Sequence, residues 1–171
     1  MKDMYESSGL YEQERLKRLY SYELLDSTQD NTFQDVVTMA AHMFKVPIAF
    51  VALVDKARVW FKARCGLDGR AEISRDLSLC SIAILQNEVT VIKGAWLQEL
   101  MQEKPEMASI YNVGFYAAAP LTTPDGYNIG TLCIVDREPK PFSQDDAAIL
   151  SSFAAIVMEE IERQKVIVKA E

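Results

Sequence analysis

Gly114-Phe115-Tyr116-Ala117-Ala118-Ala119-Pro120-Leu121-Thr122-Thr123-Pro124-Asp125-Gly126-Tyr127-Asn128-Ile129-Gly130-Thr131-Leu132-Cys133-Ile134-Val135-Asp136 is the stretch around which the chain is organised. Two apolar runs, Phe115 to Leu121 and Ile129 to Val135, flank Pro124, Asp125 and Gly126, which is turn chemistry between strand signals. The pattern predicts a hairpin. Neither run alternates apolar with polar residues, so both faces of both strands are expected to be covered by protein, at the centre of a sheet. Ala117, Ala118 and Ala119 leave space above that sheet, to be filled by bulky neighbours or by a ligand.

Outward from the hairpin, Ile48 to Val54 is a second continuous β-favouring run after Pro47. Val59 to Arg64 follows a short polar connection; Lys62 and Arg64 need water, which predicts a strand nearer an edge. Before these strands, Phe33, Val36, Val37, Ala40, Ala41 and Phe44 recur at helical spacing and predict a helix over 32–44 laid on the sheet. Leu16, Leu19 and Tyr20 predict an amphipathic helix within 10–25, and residues 1–9 read as a frayed end. Between the hairpins, 65–79 reads as a loop over the sheet, with a short helix near 79–86, a strand near 89–92 and a helix near 96–101. A long helix from Gln144 to about Lys169 opens on Ser143 with Asp146 three residues on, a capping pair. Leu150, Ala154, Val157, Ile161 and Val168 approach a heptad seam with Gln164 as its polar interruption. Past Met158 the helix is expected to leave the domain and join a second copy.

The 171 residues suit one domain, and 49% hydrophobic with 25% charged is an ordinary globular mix. A net charge of −7 argues against a nucleic-acid partner. The longest apolar runs are too short for a membrane span, and the chain reads as cytoplasmic. Cys65, Cys80 and Cys133 lack metal-type spacing, and a lone His42 completes no zinc site.

The element order resembles a GAF domain, a small-molecule sensory module related to PAS domains. The resemblance rests on Asp55, Arg58-Val59-Trp60-Phe61-Lys62-Ala63-Arg64, Gly66-Leu67, Arg75-Asp76 with Cys80, Phe115-Tyr116-Ala117, Ala119-Pro120-Leu121, Pro124-Asp125-Gly126 and Gly130 to Asp136. It implies an α+β fold: a six-stranded antiparallel sheet with helices on one face and a roof of loops and short helices over a pocket on the other. The implied division is a flexible N-terminus at 1–11, a GAF-like domain at 12–162, and the end of an extended helix at 163–171. It further implies an unidentified small molecule as ligand, a homodimer through the terminal helices, and a histidine kinase or diguanylate cyclase as output partner. Ile82 replaces the histidine usual two residues after the matching cysteine, and Gly114 stands where arginine usually precedes the Phe-Tyr pair. With only His42 available, neither a bilin nor a haem is expected, and the cyclic-nucleotide motif of the family is absent.

The expected ligand-binding residues are Trp60, Phe61, Arg64, Cys80, Ser81, Tyr111, Phe115, Tyr116, Ala118 and Thr131. No nucleophile–base pair or carboxylate pair is evident, so the reading is a binding module and not an enzyme. Two alternatives accompany it. One is thiol redox chemistry of the free methionine sulfoxide reductase type, with Cys65 and Cys80 near the roof and Cys133 in the core. The other is a dimer spacer whose pocket is filled by its own side chains.

Overall fold

The computed structural model describes residues 2–67, 69–107 and 112–170, with side chains for 9–67, 69–107 and 112–167. Among these, β1 (Ile48–Val54), β2 (Arg58–Cys65), β3 (Glu72–Ser74), β4 (Thr90–Lys93), β5 (Phe115–Thr122) and β6 (Asn128–Asp136) form one antiparallel sheet in the order β3-β2-β1-β6-β5-β4. α1 (Lys2–Ser21), α2 (Asn31–Phe44) and a long α5 (Gln144–Ala170) cover one face. A 3-10 turn (Arg75–Leu77), α3 (Cys80–Ala83) and α4 (Gly94–Glu103) roof the other. The α+β architecture implied by the resemblance is therefore the one found. β1, β6 and most of β5 are buried on both faces, which is why their sequences do not alternate.

Local chemistry sets the elements. The six stripe residues of α2 are its buried residues, each large one adding about 1.5–3 kcal/mol of apolar burial. Asp30 caps α2 by accepting from Thr32 N at 2.8 Å, and at the start of α5 Asp146 N donates to Ser143 Oγ at 3.1 Å while Ser143 N donates back to Asp146 Oδ2 at 2.9 Å. β4 pairs only Phe115–Ala118 of β5 and β3 only Arg58–Trp60 of β2, so both margins of the sheet are short.

Three expectations are corrected. Lys62 does not reach for water: one extra residue in β2 between the partners of Val51 and Ala52 makes a bulge, and Lys62, only 4% exposed, lies on the helix side. β2 does lie next to the margin of the sheet, with the short β3 covering only Arg58–Trp60. The seam Leu150, Ala154, Val157 and Ile161 is buried in the chain's own helix-side core, because a sheet selects the same spacing as a partner helix; the side chain of Val168 lies outside the described residues. Nor does α5 depart at Met158, since Gln164 Nε2 donates to Asp30 Oδ2 at 2.7 Å and Lys165 Nζ to Ser21 Oγ at 3.1 Å.

Candidate functional site

Alternation along β5 divides its side chains. Phe115, Ala117, Ala119 and Leu121 face the helices, where α5 packs on the strand; Tyr116 and Ala118 face the roof. Two of the three alanines thus serve close helix packing. On the roof side Tyr116, Ala118, Thr131 and Cys133 have no solvent exposure at all, so no water-sized space touches them. The space expected beside the alanines is filled by the chain itself, in a packed roof-side cluster that includes Cys80 of α3.

A polar cluster sits in this apolar layer. Cys80 Sγ and Cys133 Sγ are 3.6 Å apart. The Tyr116 hydroxyl donates to Cys80 Sγ at 3.3 Å and lies 3.2 Å from Cys133 Sγ, Thr131 Oγ1 is 3.0 Å from Cys133 Sγ, and Cys80 N donates to Ser78 Oγ at 3.1 Å. Burial raises both thiols. At Cys80 it is outweighed by hydrogen bonds from Cys133, Ser78, Thr131 and Tyr116, whereas Cys133 is held well above its ordinary value by burial and by Cys80. The two thiols interact so closely that their titration belongs to the pair. Burial likewise pushes the Tyr116 phenol up, so it stays a donor. Thr90, paired with Ala118 and hence on the same face, carries a buried hydroxyl without a hydrogen-bond partner among the described residues. Such a group costs stability unless something binds it.

Of the expected ligand residues, Phe61, Cys80, Tyr116, Ala118 and Thr131 come together on this face. Ser81 stands on α3, donating to Arg75 O at 2.7 Å, beside a cleft of ≈ 220 Å³ also lined by Arg75, Ser78 and Lys104. Arg64, opposite Phe50, shares the roof side, with Nη1 donating to Arg70 O. Trp60 and Phe115 belong to the helix-side core and leave the set. Tyr111 lies outside the described residues. Cys65 also packs toward the helices, so the thiol near Cys80 is Cys133, not Cys65. Thr90 was missed, although a threonine inside Val89-Thr90-Val91-Ile92 is a legible flag.

The Arg75 side chain ties the roof to the far side of the sheet. Its Nη1 donates to Glu12 Oε1 of α1 at 2.5 Å and to Asp55 O at 3.0 Å. Glu12 in turn accepts two hydrogen bonds from Arg15, at 2.8 and 2.9 Å, and Arg15 is fully buried. Beside them Arg58 pairs with Asp26, Asp55 and Glu72, and Tyr20 OH donates to Asp55 at 2.6 Å.

Residues 29–161 match the family model of the GAF domain. The chain belongs to the GAF family. A cyclic di-GMP phosphodiesterase from Pseudomonas aeruginosa is 39% identical over 139 residues, 81% of this chain and 24% of that protein. This GAF chain therefore spans about a quarter of the curated relative. Among solved structures, the GAF domain of an Acinetobacter phosphoenolpyruvate-protein phosphotransferase superposes with a TM-score of 0.64 at 16% identity, covering 92% of this chain and 97% of that one. The free methionine-R-sulfoxide reductase of Neisseria meningitidis gives 0.64 at 18%, covering 94% and 93%. At these identities the likeness is one of fold. The residues that carried the sequence resemblance, Asp55, Arg58 and Arg75, are the GAF domain's tie between α1, the β1–β2 turn and the roof. No helix among the described residues is long and apolar enough to cross a membrane.

Proposed function

We propose that this GAF domain is a sensory module in which a small molecule at the roof-side face changes how α1 and α5 pack. The observation that carries the reading is the Arg75–Glu12–Arg15 linkage: a roof residue holds the carboxylate that keeps a buried arginine of α1 in place. Binding that displaces the 3-10 turn and α3 pulls on this linkage, a two-state repacking of the kind that couples distant sites. β5 offers a second route, bearing Tyr116 and Ala118 toward the roof and Ala117 and Ala119 toward α5. The ligand requires roof displacement, and the unpartnered Thr90 hydroxyl offers it a hydrogen bond. Exposed Ile149, Ile156 and Ile167 lie along one side of α5 and supply a stripe for a second copy. The output partner is an enzyme of cyclic di-GMP turnover in preference to a histidine kinase, on the strength of the phosphodiesterase relative.

The test uses Thr90→Val, which keeps shape and removes the hydroxyl. The variant is expected to gain about 1 kcal/mol in denaturant unfolding, because an unsatisfied buried group is gone. Hits from a metabolite thermal-shift panel on the wild type should lose their shift in it. A panel without hits favours the spacer alternative, and hits unaffected by Thr90→Val remove the roof-side site.

A thiol redox reading is favoured by one observation, the 3.6 Å approach of Cys80 and Cys133. In it the two thiols give two electrons and two protons to a sulfoxide, leaving a disulfide, a thioether and water. Methionine sulfoxide consumption with an external dithiol reductant, abolished by Cys80→Ser, would establish it; no turnover above the variant eliminates it.

A further inference from the structure

Lys62 is a buried charge that the roof-side reading does not use. At the bulge in β2 it lies under α2, its ammonium 5.6 Å from the Phe33 ring centre and 6.0 Å from that of Trp60. It donates to Ser27 Oγ at 2.8 Å and Thr28 O at 2.7 Å. Among the described residues no carboxylate forms an ion pair with it, and its third N–H has no acceptor. Burial lowers its pKa while the Asp30 carboxylate, close by but not ion-paired with it, acts in the opposite sense, and a buried ammonium without a direct ion pair is costly.

The ammonium lies against a cleft of ≈ 340 Å³ between the end of α1, the 21–30 connection and the last turns of α5, a size suited to a small ligand. Lys165 lines it with its ammonium 4.5 Å from the Tyr22 ring centre. Glu23 and Asp30 line it too; Asp30 is held by Thr32 N and Gln164 Nε2. Cations and carboxylates therefore share one cleft. A doubly charged phosphate would meet both acids, whereas a monocarboxylate carrying its own donor would satisfy both signs.

We infer that this cleft binds a small hydroxy acid or amino acid, its carboxylate accepting from the third N–H of Lys62 and its hydroxyl or ammonium group facing Asp30 and Glu23. The site is on the helix side of the sheet and independent of the roof. Because Gln164 and Lys165 belong to α5 while Ser27 to Asp30 precede α2, an occupant clamps the long helix to the connection that follows α1.

Titration of ¹⁵N-labelled protein with L-lactate and with L-alanine, at constant ionic strength and with inorganic phosphate as the control anion, tests it. At least one of the two carboxylates is expected to give saturable shifts of the Ser27, Thr28, Lys62 and Gln164 backbone amides, with Cys80 and Thr131 unmoved and phosphate inert. Lys62→Met should weaken that binding at least tenfold in a protein that keeps the wild-type fold. The side-chain Nζ resonance of wild-type Lys62, expected to move with the same midpoint, gives a reading that needs no substitution. Absence of saturation with both carboxylates, an equal response to phosphate, or an unchanged response in Lys62→Met overturns the site. Movement of Cys80 and Thr131 without Lys62 overturns it as well, and supports the roof-side site instead.

Discussion

Gly130→Ala is expected to move the urea midpoint of the domain further than any other alanine substitution in the sheet. A Cβ at Gly130 would meet Ala52 O at 2.1 Å and Leu53 Cα at 3.1 Å, both in the backbone of the neighbouring strand. Gly130 pairs with Leu53 of β1 on one side and Leu121 of β5 on the other, so neither neighbour can withdraw without opening the middle of the sheet. The cost should reach about 4 kcal/mol or more, against a total domain stability on the order of 5–15 kcal/mol. Gly126→Ala is the control: its φ of +93° strains an alanine, but nothing lies within 4 Å of the added carbon, and the cost should stay within about 1–3 kcal/mol. Urea unfolding followed by far-UV circular dichroism separates the two. A Gly130→Ala midpoint close to that of the wild type would mean the central strands are more yielding than their packing implies.

Arg15→Ala should be the other severe substitution, at about 2–4 kcal/mol, because it deletes a large, fully buried side chain and leaves the half-buried Glu12 to Arg75 alone. It also removes the contact of Arg15 Nη1 with Asn128 O at 3.4 Å, so α1 should lose protection in amide exchange before the sheet does. The same linkage sets an acid limit. Burial raises the Glu12 carboxyl, but hydrogen bonds to Arg15 and Arg75 outweigh it and bring the pKa from 4.5 down to about 2. A carboxylate whose folded-state pKa is depressed contributes stability above its unfolded pKa. Here that contribution is complete above about pH 5 and is lost as pH falls through 4.5 toward 2, amounting to about 2 kcal/mol after screening at this half-buried site. Melting temperatures between pH 2 and 6 should fall more steeply for the wild type than for Glu12→Gln. Parallel curves would remove Glu12 from the account.

Much of the architecture was legible because some residues allow only one reading. The Pro124-Asp125-Gly126 turn between two apolar runs and the stripe of α2 leave a strand hairpin and a sheet-facing helix as the natural outcome. What escaped was sidedness. Where both faces of a strand are apolar there is no polar alternation to say which residue points where, so Trp60 and Phe115 could not be told from Phe61 and Tyr116. A bulge adds to this: one extra residue reverses the parity of a strand, so that Trp60 and Ala63, three apart, both face the helices. The rhythm of α5 was ambiguous for a different reason, since Leu150, Ala154 and Val157 suit a sheet as well as a partner helix. The Cys80–Cys133 approach joins positions 53 residues apart, and no local pattern announces it.

The short margins of the sheet have a consequence for a domain that resembles one segment of a longer signalling protein. β3 has 3 residues and β4 has 4, and the stretch of β5 that β4 leaves uncovered carries Pro120, which has no N–H to donate. The β4 border therefore offers no long run of free amides on which a foreign strand could grow. Growth of a foreign strand on that border is thereby disfavoured.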